Sequence, residues 1–226
     1  MGAPGVTGGD SFGGYRTRLV NELQAKGIRD LAVLRAVAQV PRHLFVPESV
    51  RHRAYEDSAL PLSSGQTISQ PWVQARSIEL LALCGRERVL EVGTGSGYQT
   101  ALMALCGEVV FTVERIPPLA QQARAILAEI GIRNISFLVG DGTLGWRAFA
   151  PFDAIVVAAG SPEIPAPLLE QLAPGGRLVA PVGTREQQVL TFVRRDASGS
   201  LHRTTVSDVK FVPLIGHFGH GADMPS

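Results

Sequence analysis

VLEVGTGSGYQT, residues Val89 to Thr100, runs from an apolar strand through Gly93-Thr94-Gly95-Ser96-Gly97 into a helix. Glycines in such a turn let the backbone reverse sharply and approach a ligand closely. The turn sits at the carboxyl end of the strand, the edge where open α/β sheets bind their ligands. A glycine-rich turn by itself is weak evidence, because many strand–helix connections contain two glycines for steric reasons. Its spacing excludes two common readings. The dinucleotide fingerprint needs a third glycine three residues after the second, whereas Gly97 follows Gly95 by two and position 98 is Tyr. No Gly-Lys-Ser or Gly-Lys-Thr occurs, so a phosphate-cradling P-loop is absent.

Working outward, strands and helices alternate. The pattern predicts a helix from Pro71 to Leu83, a strand at Arg88 to Val92, a helix at Gln99 to Cys106 and a strand at Val109 to Val113. A helix from Pro118 to Ile130, ended by Gly131, leads to a strand at Ile135 to Val139. Further strands are expected at Asp153 to Ala158, Arg177 to Pro181, Gln188 to Arg194 and Thr204 to Val212. The last two flank the turn at 196–200 and are expected to pair as a hairpin. This order implies an α/β fold with a doubly wound, mostly parallel sheet and an antiparallel edge. Upstream, a helix opens at Tyr15 and ends at Gly27, and Asp30 is placed to cap a second that Pro41 stops. Residues 41–71 read as a long irregular stretch, of the kind that is usually functional. The expected organisation is a flexible glycine-rich leader over 1–14, one domain over 15–215 and a flexible tail over 216–226. Within the domain, 15–70 forms a helical and loop segment at the cleft and 71–215 the sheet core.

Composition narrows the function. The 226 residues carry 21 basic and 20 acidic side chains, which gives no electrostatic reason to expect nucleic acid or an anionic membrane as partner. Cys84 and Cys106 lie in apolar helical contexts and read as buried free thiols. No signal peptide or membrane-spanning stretch is evident, so the expected location is the cytoplasm. His217 and His220 lack a third partner, and no metal is expected.

Three strand tips form a constellation. The glycine turn resembles motif I of Rossmann-like methyltransferases, with Glu91 just upstream. A sulfonium cofactor with an amino-acid tail would gain from that carboxylate, directly or through water. Glu114 ends the second strand, placed to accept both ribose hydroxyls. The third strand ends in Gly140-Asp141-Gly142; in the resembling families the acid there contacts the adenine amino group. The cofactor implied is S-adenosyl-L-methionine, with S-adenosyl-L-homocysteine as product, held by Glu91, Gly93, Thr94, Gly95, Ser96, Gly97, Glu114, Asp141 and Gly142.

From about Arg16 to Leu214 the chain resembles the protein-L-isoaspartate (D-aspartate) O-methyltransferase family. The residues that carry this are VPRHLFVP (Val40 to Pro47), ALPL (Ala59 to Leu62), GQTISQP (Gly65 to Pro71), VERI (Val113 to Ile116), PFDAIVVAA (Pro151 to Ala159), LAPGGRLVAPVG (Leu172 to Gly183) and KFVPL (Lys210 to Leu214). GQTISQP lies outside the cofactor fold and is not shared by methyltransferases generally. The resemblance implies methylation of the free α-carboxylate of L-isoaspartyl residues in proteins and peptides, and less well of D-aspartyl ones. The ester then collapses to a succinimide, which begins repair. Ser69 matches the family's active-site position, with Thr67 assisting. Gln66 and Ile68 on the same segment, and Val157, Ala158 and Ala159 at a strand end read as an edge for an extended peptide, are the expected substrate contacts. Ser69 also has a bland reading, as the cap of the helix opened by Pro71. Relatives often carry Thr where this chain has Ala158, which keeps open a relative that methylates one dedicated peptide. A partner-binding module that has lost catalysis is a third reading, opposed by intact Ser69, Glu114 and Asp141. Arg42, Arg51 and Arg53 read as a solvated face.

Overall fold

The computed structural model describes residues 12–221. The chain opens with α1 (Gly13–Ala25) and α2 (Leu31–Gln39). Asp30 caps α2 as its position predicts, its Oδ1 accepting the N–H groups of Ala32 at 2.8 Å and Val33 at 3.2 Å. Of the expected leader, residues 1–11 lie outside the described residues. Gly13 and Gly14 already belong to α1, where a first turn leaves its N–H groups unpaired whatever residue stands there.

Residues 41–71, read as irregular, contain short regular pieces. Two 3-10 turns, Arg42–Phe45 and Glu48–Arg53, precede a small hairpin of β1 (Leu60–Pro61) and β2 (Thr67–Ile68). Leu60 faces Ile68 and Pro61 faces Thr67. The Leu62 N–H continues the pairing by donating to the Gln66 carbonyl at 2.8 Å. Strands of two residues are too short to display the alternation by which strands are read.

Then follow α3 (Pro71–Leu81), β3 (Arg88–Val92), α4 (Tyr98–Cys106), β4 (Val109–Glu114), α5 (Pro117–Glu129), β5 (Ile135–Val139) and β6 (Phe152–Val157). A short α6 (Ala166–Glu170) leads to β7 (Leu172–Gly183), β8 (Gln188–Arg195) and β9 (Leu201–Val209). α6 escaped the sequence reading because five residues cannot show a helical period. β9 starts three residues earlier than expected because Asp196 tightens the turn, its Oδ1 accepting the N–H groups of Ser198 and Ser200 at 2.9 Å.

The sheet order is β5-β4-β3-β6-β7-β8-β9, parallel through β7 and antiparallel at β8 and β9. This is the doubly wound sheet with an antiparallel edge that the strand–helix alternation implies. The chain builds outward from β3 to β5, then returns to β6 on the other side of β3. That reversal opens a crevice at the carboxyl ends of β3 and β6. Alternate residues divide the core between the two faces. Val89, Val110, Val156 and Val179 join Leu23, Val37 and Leu102 on one side, while Leu90, Val92, Phe111 and Ile155 join Leu168 and Leu172 on the other.

Two expectations change at the periphery. Residues 216–221 of the expected flexible tail fold back, with Ile215 bridging His220 and the His220 N–H donating to the Leu214 carbonyl at 2.7 Å. Cys106 is buried, but Cys84 is exposed beyond the end of α3, its thiol donating to Glu87 at 2.9 Å. No helix among the described residues is long and apolar enough to cross a membrane.

Candidate active site

The crevice at the switch point encloses about 280 Å³, near the lower end for pockets that bury a small organic molecule. Its floor is the turn after β3, where Gly93, Thr94, Gly95 and Ser96 all face the cavity. Gly97 does not. Its φ is +87°, and a Cβ there would lie 2.9 Å from the Ala123 Cβ of α5, so this glycine serves the packing of α5 against α4 and not a ligand.

Glu114 lies at the tip of β4, 7% exposed and facing the crevice. Its Oε2 accepts the Gly95 N–H at 2.8 Å and its Oε1 the Ile116 N–H at 2.9 Å. Each oxygen keeps a further lone pair, so the carboxylate both clips the glycine turn and offers paired acceptors. The charged residues of the lining are Glu114 and Arg115. One cation beside one anion suits an uncharged sugar better than a polyphosphate.

Glu91 departs from its expected role. It is fully buried and absent from the crevice wall, and it accepts hydrogen bonds from Thr100, Thr112 and Gln99. Thr112 is in turn bonded to Thr94 at 2.6 Å. The carboxyl therefore acts on the glycine turn through two threonines and makes no direct contact with the cavity. Burial raises its pKa to about 7, against the three hydrogen bonds and with a small contribution from Glu114. A carboxyl with a higher pKa folded than unfolded takes up a proton on folding. Its ionisation thus destabilises the protein as pH rises from the ordinary carboxylate range to about 7, and the loss is complete above that. Glu91→Gln stays neutral, and its carbonyl can still accept from Thr100 and Thr112. The variant should match wild type near pH 4 and exceed it by about 3 kcal/mol near pH 8, measured by urea unfolding at both pH values. Equal stability at the higher pH would contradict a buried, protonatable Glu91.

Asp141 also departs. Its Oδ1 accepts from the Thr143 N–H at 2.9 Å and hydroxyl at 2.7 Å, and its Oδ2 from the His217 N–H at 2.8 Å. Partial burial opposes its ionisation, but these bonds outweigh it and hold the carboxyl below its usual range. Asp141 anchors the returning C-terminal segment, and Gly142 lines the cavity where Asp141 does not. Gly216 is the close approach that makes this possible, since a Cβ there would fall 2.1 Å from Asp141 Oδ1. The anchored segment brings Val212, Pro213, Leu214 and Ile215 into the crevice wall. Sequence reading missed these as site residues, although KFVPL stands out there as a motif.

The open side is covered by the β1–β2 hairpin and the residues that follow it. Gly65, Gln66, Thr67, Ile68 and Ser69 all line the crevice, facing Ala158 and Ala159. Val157 does not reach it; the residue is 2% exposed within β6. Nor is β6 an edge, for it pairs with β3 on one side and β7 on the other, and only the two residues beyond its end are available. A second cavity adjoins, with Ser69 common to both, lined also by Trp72, Lys210 and Phe211.

Ser69 does not cap α3. The N-cap is Gln70, and the first-turn N–H of Trp72 is taken by Asp57 Oδ1 at 2.7 Å. Among the described residues the Ser69 hydroxyl has no hydrogen-bond partner, while its carbonyl accepts from Arg42 Nη2 at 2.8 Å. Arg42, read as part of a solvated face, is 0% exposed. No group of three or more His, Cys, Asp or Glu among the described residues could hold a metal.

A family model described as protein-L-isoaspartate(D-aspartate) O-methyltransferase matches residues 15–219. The chain is 48% identical over 209 residues to the protein-L-isoaspartate O-methyltransferase of Geobacter metallireducens, covering 92% of this chain and 97% of that one. It is 52% identical over 199 residues to that of Methanoculleus marisnigri, covering 88% and 90%. Among solved structures, a protein-L-isoaspartate O-methyltransferase superposes with a TM-score of 0.82 at 29% identity, covering 90% of this chain and 67% of that one. One from Plasmodium falciparum, in complex with S-adenosyl-L-homocysteine, superposes with a TM-score of 0.77 at 27% identity, covering 89% and 98%.

Proposed function

The chain belongs to the protein-L-isoaspartate(D-aspartate) O-methyltransferase family, and on that premise we propose how its own residues serve the reaction. The enzyme methylates the free α-carboxylate of L-isoaspartyl residues in damaged proteins, and less well that of D-aspartyl residues. When bound, S-adenosyl-L-methionine supplies an electrophilic methyl group on a sulfonium and leaves as S-adenosyl-L-homocysteine. Glu114 would accept the ribose hydroxyls with the lone pairs its two backbone bonds leave over. The backbone of Gly93 to Ser96 would receive the amino-acid tail, and Gly142, held close against Val92, would form part of the wall on the adenine side.

The acceptor carboxylate ordinarily titrates near pH 4, about three units below neutral, so it is ionised already and no general base is required. What the protein must do is orient one oxygen and strip water from it, and correct placement alone can supply much of the rate. The Ser69 hydroxyl donates to the acceptor carboxylate, with Thr67 on the same lip. Gln66 and Ile68 bound the acceptor, as do Ala158 and Ala159. The substrate chain continues past Ser69 into the adjoining cavity by Trp72 and Phe211. The observation that carries this reading is a hydroxyl left without a partner on the lip that faces the glycine turn. The methyl ester lies one residue from a backbone amide, whose nitrogen displaces methanol to close the succinimide. The unpaired thiols Cys84 and Cys106 suit a reducing compartment, and we assign the enzyme to the cytoplasm.

The test pairs two peptides identical except for isoaspartate or aspartate at one position, given S-adenosyl-L-methionine in mild acid so that the ester survives. A single methyl gain confined to the isoaspartyl peptide is expected by mass spectrometry. Methylation of neither peptide, with cofactor still bound, overturns general repair and directs the search to a dedicated partner.

A further inference from the structure

Behind the lip lies a buried cation that makes no ion pair, although Asp57 favours its charge from a distance. Arg42 is fully buried, yet among the described residues no carboxylate lies within ion-pair distance of it. Its guanidinium stacks over the Tyr98 ring at 4.6 Å, donates from Nη1 to Gln74 Oε1 at 2.9 Å, and donates from Nη2 to the Ser69 carbonyl at 2.8 Å. Its Nε is buried without a partner. Burial lowers its pKa to about 10, which leaves it a cation at neutral pH. An apolar side chain of similar length would fill this space without the desolvation penalty that a buried charge carries. The two groups it holds both line the crevice.

Arginine can only donate, so it fixes which way the Gln74 amide faces. With Oε1 turned to the guanidinium, Nε2 is the end left for the crevice, and its N–H groups have no partner among the described residues. Gln74 is 5% exposed, so this amide has little freedom to reorient. The same guanidinium fixes the backbone at Ser69, and Asp57 holds the next residues by accepting from Gln70 Nε2 at 3.0 Å and the Trp72 N–H at 2.7 Å. We infer that Arg42 is a positioning residue of the methyl transfer: by holding the Ser69 carbonyl and Gln74 Oε1, its fork sets the Ser69 hydroxyl and the Gln74 Nε2 as donors toward the acceptor carboxylate. Asp57 favours the Arg42 charge but is itself paired with Lys26 at 2.6 Å, so the buried cation adds a positive potential behind that anion, in a medium where it is poorly screened. This inference rests on the isoaspartyl reading above.

The experiment measures kcat and KM for an isoaspartyl peptide, S-adenosyl-L-homocysteine affinity by calorimetry, and Tm, in Arg42→Met, Arg42→Lys, Gln74→Leu and the Arg42→Met/Gln74→Leu pair. Arg42→Met should lower kcat/KM for the peptide by about 100-fold, the loss expected when a reacting group drifts by an ångström. Homocysteine-product affinity should stay within about twofold of wild type, because the charge acts on the acceptor side. Arg42→Lys reaches one acceptor but not both, and should recover about tenfold of the loss. The Met and Leu losses should be less than additive in the double variant, since they act through one amide. Wild-type kcat/KM in Arg42→Met, additive losses, or product affinity falling in step with kcat/KM would each overturn the inference. Should Arg42→Met fail to fold, Arg42→Lys decides, an unchanged kcat/KM overturning the inference and a loss at retained product affinity upholding it. Wild type that leaves the isoaspartyl peptide unmethylated would instead sink the isoaspartyl reading itself.

Discussion

Glu114→Ala is expected to weaken S-adenosyl-L-homocysteine binding by about 100-fold or more, from the loss of two charge-assisted hydrogen bonds. Two effects add. The ribose loses its acceptors, and the Gly95 and Ile116 N–H groups lose the carboxylate that both donate to, at 2.8 and 2.9 Å. With Gly95 released, the turn must be ordered again each time a ligand binds. The apo protein should also lose about 2 kcal/mol of stability, since buried donors are left unsatisfied. Glu114→Gln separates the two effects. Its carbonyl can still accept at one position, but its amide group opposes an N–H donor at the other, so affinity should fall by about tenfold. Isothermal titration calorimetry on all three proteins checks this, and an alanine variant within threefold of wild type would remove Glu114 from the cofactor site.

Ser69→Ala should lower kcat/KM for the isoaspartyl peptide by about 100-fold, the size of effect seen when one donor to a reacting oxygen is removed. Tm should hardly move. The hydroxyl bonds to nothing among the described residues, and Arg42 binds the carbonyl of residue 69, which alanine keeps. The competing reading makes the opposite forecast. Were Ser69 merely the cap of α3, alanine would leave kcat/KM intact and cost about 1 kcal/mol of stability. Asp57 already satisfies the Trp72 N–H, so that cost is not expected. Steady-state kinetics and a melting curve on one preparation discriminate the two.

Cofactor chemistry was legible in the sequence because it depends on short-range features. The turn at Gly93 to Ser96, the acid at Glu114 and the glycine at Gly142 each follow a strand immediately, and the parallel order of strands brings their tips to one edge. Local spacing could not reveal where a side chain turns. Glu91 and Val157 occupy inviting positions at strand ends, yet the pleat sends them into the interior. Asp141 follows its strand as expected, but a segment 76 residues later claims its carboxylate. Likewise the hydrophilic type of Arg42 suggested solvent, and only the packing of Tyr98 and Gln74 around it shows a buried fork.

The doubly wound sheet and the strand edge at which the crevice opens could be read from the amino-acid sequence. These follow from hydrophobic period, glycine spacing and the chirality of strand–helix–strand units, all local or generic properties of the chain. The tertiary structure alone decided which polar groups face the cavity and which are consumed elsewhere. Hydrogen bonds such as Asp57 to Trp72, Arg42 to Ser69 and Asp141 to His217 join residues 15, 27 and 76 positions apart. A buried polar group takes whatever partner the fold brings near, and that partner carries no signature in the neighbouring sequence.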